Sequence, residues 1–255
     1  MINVLDRAFE NPLEKEEHAT TLLAGGIVQL GYQCGLVWGA AMGAGARAFQ
    51  LLGSGPQAET GAIIATRRIV ESFRDRNGDI DCYGITGIDW KKPTDVVKTM
   101  LTGGPIRCLN LAARNIPPVY DEIDATLSEE GIEAPSPPVS CTSMLAEKMG
   151  ASDLQQVMAA GLAGGIGLCG GACGALGAAI WMNTIDSIED GEKIKYKNPK
   201  AKAVIARFRE ITDDTFPCSE IVGRKFESVD DHAGYLREGG CSELIEALAT
   251  AAPAE

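Results

Sequence analysis

The chain has 255 residues, with eight cysteines and only two histidines, so whatever chemistry it performs is thiol chemistry first. Cys34 and Cys173 each stand in a run with almost no side chains, "GYQCGLVWG" and "GGACGALGAA". The others carry helix-start signals. Cys82 follows "NGDID", Cys108 comes shortly after Pro105, Cys218 follows "TDDTFP", and Cys241 opens "CSELIEALA" behind two glycines. A helix start offers free N–H groups and positive potential, which favour thiolate over thiol. Thiolate is the form that ligates metal and attacks disulfides. The competing reading of any one of them is a small buried hydrophobe. Cys169 and Cys173 stand four apart, one helical turn, so a disulfide between them would need a distorted helix.

Other chemistries find little support. His18 and His232 sit in charged stretches and are expected at the surface, so hydrolytic chemistry is poorly supported. The acidic runs "SIEDGE" and "ESVDDH" lack the spacing of a calcium loop. The glycine runs lack both the dinucleotide and the P-loop fingerprints.

These cysteines belong to a duplication. "LAGGIVQLGYQCG" (23–35) matches "LAGGIGLCGGACG" (162–174) without a gap, and Cys34 and Cys173 stand 139 apart. "CYGITG" at Cys82 answers "CSEIVG" at Cys218, and "GGPIRCLNL" at Cys108 answers "GGCSEL" at Cys241, at slowly shrinking offsets. This places a first repeat in residues 1–132 and a second in 139–255, joined by the proline-rich "EAPSPPVS". The two units are expected to be related by a pseudo-twofold axis.

The net charge of −12 and pI near 4.7 argue against a phosphate-backbone partner, so no nucleic acid is expected. No basic leader precedes an apolar core, and a cytoplasmic location is expected. Residues 19–46 and 154–185 are uncharged and long enough to span a bilayer. They are rich in Gly and Ala rather than Leu, Ile and Phe, and read as buried helices without membrane insertion.

The elements that must position the thiols are helical. Residues 61–78 and 200–214 are amphipathic at helical period, and the first ends on Asn-Gly. Residues 94–104 begin with a capping pair, and 117–131 have Pro117 at the entry, early acids and a closing glycine. With no period-two alternation, the fold class is all-α. Gly31, Gly35 and Gly39, and likewise Gly170, Gly174 and Ala178, would make bare stripes on central helices, for a close helix or a compact inorganic group.

In this order the chain resembles the C–GCAxxG–C–C family of redox proteins, helical proteins with four signature cysteines. The residues that carry it are Cys141 in "SCTSMLAEKMG", Cys173-Gly174-Ala175, Cys218 in "CSEIVG" and Cys241 in "CSELI". A related domain accompanies an iron–sulfur centre in split-Soret cytochromes. The resemblance covers 139–250 well and 1–115 more weakly. It implies a redox or iron–sulfur role, with Cys141, Cys173, Cys218 and Cys241 as one ligand set. Cys34, Cys82 and Cys108 would be a reduced set, because Ile2 stands opposite Cys141. The central motif departs from the family, since "CGALGA" carries its glycine one place early. Cys169 is an extra cysteine opposite Leu30, available to complete the first set.

Three functions follow. One is an iron–sulfur redox protein with one or two clusters per chain, most simply 4Fe–4S, as expected of an anaerobe's electron carrier. Its partner would be a redox protein or a small-molecule acceptor, and a homo-oligomer is compatible with it. The second is a metal-free dithiol–disulfide oxidoreductase. The third is an accessory metal-binding protein, although zinc sites usually draw on close Cys-x2-Cys pairs, which are lacking.

Overall fold

The uncharged stretch around each glycine-flanked cysteine does not fold as one long helix. In the computed structural model, which describes residues 1–129 and 131–251, it breaks into a short helix, a left-handed turn and a long buried helix. The first repeat contains α1 (Ile2–Ala8), α2 (Glu14–Ala19) with a 3₁₀ turn (Thr20–Leu23), α3 (Gly35–Leu52), α4 (Pro56–Asn77), α5 (Cys82–Thr86), α6 (Pro93–Leu101) and α7 (Gly104–Leu127). The second contains α8 (Cys141–Lys148), α9 (Asp153–Ala160), α10 (Gly174–Glu189), α11 (Pro199–Thr212), α12 (Cys218–Val222), α13 (Val229–Arg237) and α14 (Ser242–Ala249). Among the described residues there is no strand, and no helix is long and apolar enough to cross a membrane. The fold is all-α.

The breaks explain a misplaced stripe. Gly31 and Gly170 are not on the central helices, which begin only at Gly35 and Gly174. They close the left-handed turns. Residues 25–29 all have positive φ, from 48° to 77°, and residues 164–168 repeat this at 58° to 75°. Ile27, Val28, Gln29, Ile166 and Leu168 adopt it despite their side chains, at about 1–2 kcal/mol each. Full burial of Ile27 and Ile166 offsets part of that cost, as do turn hydrogen bonds such as Val28 N–H to Leu22 O, 2.6 Å.

The helical glycines are for helix contact, not for an inorganic group. A Cβ on Gly35 would meet Ala24, one on Gly39 would meet Ile2, and one on Gly177 would enter the Trp38 ring. Trp38 and Gly177 are equivalent positions, 139 apart, so the repeats touch at matching residues. Each repeat also lends a helix to the other. α9 packs on α3 and α4, while α2 and its 3₁₀ turn pack on α10. One apolar core therefore runs from Ile2 to Leu248 through both units.

Two local expectations need correction. Pro117 does not open a helix: α7 starts at Gly104 and continues through Pro117 and Pro118. Each proline removes an intrahelical bond. Packing of α7 on α4 holds it regardless: Val119 and Ile123 are fully buried, and Asn115 Oδ1 accepts from Arg76 Nε and Asn77 Nδ2. His232 is not a surface residue. It is 1% exposed on the inner face of α13, where Nδ1–H donates to Val139 O at 3.0 Å. The charges beside it in sequence lie on the other side of the helix turn. His18 is exposed as expected.

The tightest contact with backbone gives a direct test. A Cβ on Gly174 would fall on the Leu162 carbonyl oxygen, backbone that cannot step aside. Gly174→Ala is expected to lose about 3 kcal/mol in urea denaturation. Gly234→Ala, on α13 with no atom nearer than 3.8 Å, should be neutral or gain up to about 1 kcal/mol.

Candidate metal centres

Each left-handed turn delivers its cysteine through the same backbone strap. In the first repeat Cys34 N–H donates to Ile80 O and Cys82 N–H to Tyr32 O, both at 2.7 Å. In the second, Cys173 N–H donates to Phe216 O at 2.8 Å and Cys218 N–H to Gly171 O at 2.7 Å. These bonds form isolated antiparallel bridges, Gln33 with Asp81 and Ala172 with Pro217. The loop must lie close to make them. A Cβ on Gly165 would come within 2.9 Å of Cys218 Cβ, and one on Gly170 equally near Ser219 Cβ.

The straps leave the thiols at helix starts, as the sequence suggests. Cys34 and Cys173 are the N-cap residues of α3 and α10, and Cys241 is that of α14 with φ 59°. Cys82, Cys141 and Cys218 open α5, α8 and α12. Cys108 lies just inside α7.

Two groups result. In the second repeat Cys141, Cys173, Cys218 and Cys241 are electrostatic neighbours in every pairing. Burial pushes the Cys173 thiol up to about 12, and it raises Cys141 and Cys218 further, with the neighbouring thiolates adding to it. Cys241 is also raised by burial, while the Tyr235 hydroxyl beside it acts in the opposite sense. Backbone N–H groups reach the sulfurs, from Gly164 to Cys141 and from Leu176 and Ala175 to Cys173. In the first repeat Cys34, Cys82 and Cys108 form a similar set of three. Burial pushes Cys34 up to about 12, against a hydrogen bond from the Leu36 N–H.

The two groups differ in enclosure. Cys141, Cys173 and Cys218 are buried and Cys241 is half-buried, whereas Cys108 is exposed. Cys34, Cys82 and Cys108 line a cavity of about 450 Å³. Met1 lines it too, next to Ile2, which takes the chain position of the missing fourth cysteine. Trp90 and Tyr196 complete the wall. Sequence reasoning missed both. Tyr196 comes from the α10–α11 loop of the other repeat, and no spacing in the first repeat points to it.

Cys169 belongs to neither group. Its thiol lies on the turn before α10, not on a helix with Cys173, and its charged neighbours are Arg74, Glu71 and Arg67 of α4 and Lys225. The turn there presses on α4, since a Cβ on Gly167 would meet the Arg67 backbone. All eight cysteines are free of disulfides. Among the described residues, no three His, Cys, Asp or Glu side chains are grouped tightly enough to hold a single metal ion.

Between the groups lies an aromatic pair. Tyr32, whose carbonyl holds Cys82, stacks at 4.6 Å on Phe216, whose carbonyl holds Cys173.

Comparison with known proteins agrees with this duplication. The family model "Putative redox-active protein (C_GCAxxG_C_C)" matches residues 1–116 and again 139–253. No curated protein and no solved structure matches.

The segment entering Cys141 has a pH signature. Burial lowers His232 to about 4 from 6.5, so the unfolded chain takes up a proton below pH 6.5 that the folded chain refuses. Its contribution to stability is therefore lost as pH falls from about 6.5 to 4. Asp6 works in the opposite direction. Burial, with the Glu17 charge second, raises its carboxyl to about 7, and neither oxygen has a hydrogen-bond partner. Its penalty grows as pH rises from about 4 to 7. Relative to wild type, His232→Leu should improve by roughly 2–3 kcal/mol between pH 7 and 4.5. Asp6→Asn should be more stable than wild type by about 2 kcal/mol at pH 8 and by little at pH 4. Urea denaturation across pH checks both signs.

Proposed function

This chain belongs to the C–GCAxxG–C–C redox-active family, and on that footing we propose that it is an iron–sulfur redox protein with two unlike centres. The observation that carries the reading is the convergence of four thiols, from four separate helix starts, at one buried place with no charged side chain supplied to balance them. The donor set fits a cluster. A zinc ion, with bonds of about 2.3 Å, needs its sulfurs nearly touching. A cluster takes one thiolate per iron across a wider body, which suits thiols that interact in every pairing yet are not grouped tightly enough to hold one ion.

Cys141, Cys173, Cys218 and Cys241 would hold the enclosed centre, and Cys34, Cys82 and Cys108 the open one. Bound there, clusters supply one-electron transfer. The chain's own residues do the rest. The straps fix the sulfur positions, the Gly164, Ala175, Leu176 and Leu36 N–H groups stabilise negative charge on them, and the apolar wall excludes water from the second centre. With three thiolates and a cavity beside them, the first centre has room for a small molecule to be reduced. The second would exchange electrons with a redox partner.

Metal-free dithiol exchange is less well supported. An attacking cysteine needs a lowered pKa, and burial moves these thiols the other way.

Protein purified without oxygen is expected to be brown and to contain iron and sulfide in equal amounts. Cys173→Ser should remove roughly half of the iron, and Cys169→Ser should leave it unchanged. Colourless protein holding zinc without sulfide would favour the accessory metal-binding reading. Metal-free protein with a reversible thiol couple would favour the dithiol one.

A further inference from the structure

The first-repeat cavity has a character of its own. In a chain with 23% charged residues, none of the side chains that line it is charged. Its walls are mainly apolar, and its hydrogen-bonding groups are neutral, among them Thr99, Gln29, Trp90 and Tyr196. Trp90 Nε1–H is shielded from solvent and has no hydrogen-bond partner, although it belongs to a residue on this wall. A buried donor left unpaired is costly, and an acceptor atom placed against it relieves that cost. A cation entering the same space would lose its hydration and find no countercharge on a side chain, and an anion would find only the partly buried Met1 α-ammonium near Cys34.

We infer that this cavity binds a small uncharged molecule bearing a hydrogen-bond acceptor, held by the Trp90 N–H and the Tyr196 hydroxyl beside Cys34, Cys82 and Cys108. The inference rests on the first centre being the reactive one, and it adds the chemical class of what binds there. Tyr196 gives the site its dependence on both repeats. The α10–α11 loop that carries it belongs to the second repeat, yet its phenol lies near enough to Cys82 to feel that thiolate's charge. Tyr196 shares the cavity wall with Cys82, and its phenol O–H is a hydrogen-bond donor to whatever enters. Leu36, the second residue of α3, also lines the cavity and sets how much space remains.

Titration calorimetry with cyclohexanone, an uncharged acceptor, and cyclohexanecarboxylate, its anionic counterpart of similar size, tests this. Both are titrated into protein purified without oxygen and into the same protein after iron chelation. Saturable cyclohexanone binding is expected in both forms, with the carboxylate weaker by at least about tenfold. Tyr196→Phe and Trp90→Phe should each weaken cyclohexanone several-fold. Leu36→Trp, which fills the space from a different wall, should abolish binding while circular dichroism shows unchanged helix. Equal or tighter binding of the carboxylate overturns the inference, as does cyclohexanone binding that ignores Leu36→Trp or no binding in either form. If cyclohexanone binds as expected but the Cys34, Cys82 and Cys108 set never holds iron, the inference stands and the two-centre function fails. If iron loads there and no uncharged probe binds, the function stands and the inference fails.

Discussion

The fold depends on a backbone constraint, the left-handed turn that brings each loop against the segment entering α5 or α12. Only that turn lets Cys34 and Cys82, or Cys173 and Cys218, exchange hydrogen bonds with each other's neighbours across a single bridge. Glycine is required at positions 26 and 165, where φ is positive and a Cβ would strike backbone of the same loop, at Tyr32 and Gly171. Five non-glycine residues accept a left-handed conformation so that two pairs of thiols are placed identically. Strain of this kind persists only where the surrounding structure over-determines it. Here the exchanged helices α2 and α9 and the buried Ile27 and Ile166 do so.

From that common frame the repeats diverge. The second encloses four thiols and adds Tyr235 beside Cys241. The first replaces the entry cysteine with Ile2, sets Cys108 at the surface, and leaves a cavity closed partly by the other repeat. On the proposed reading, one ancestral site became a sealed relay and the other opened to a ligand. The burial that raises the thiols is the counterpart of metal binding. Deprotonated sulfurs in an apolar wall are tolerable once a cation compensates them, so occupancy and stability should be coupled.

Much of this was legible in the sequence, because duplication and helix punctuation are local signals. The gapless match around Cys34 and Cys173 marked the repeat, and glycine and proline signals put Cys82, Cys108, Cys218 and Cys241 at helix starts. What escaped depended on direction in space. Glycines four apart looked like one stripe, but Gly31 and Gly170 have positive φ, which no spacing reveals. Cys169 seemed free to complete the first set, yet the turn aims it at Arg67 and Arg74 of α4. His232 is flanked by acids in sequence and still faces the core, since burial follows the helix face rather than the neighbours. Tyr196 reaches the first centre only because the two units share one core.

The central claim is that the two thiol groups hold two different iron–sulfur centres, and Mössbauer spectroscopy of iron-57-enriched protein kept free of oxygen tests it most directly. The account predicts two cluster signals, one from iron held wholly by thiolate and one with a distinct iron site whose signal alone shifts when an external ligand is added. Cys218→Ser should remove the first and Cys82→Ser the second. A spectrum of isolated ferrous ions, or no iron above background in protein that is otherwise folded, would contradict it.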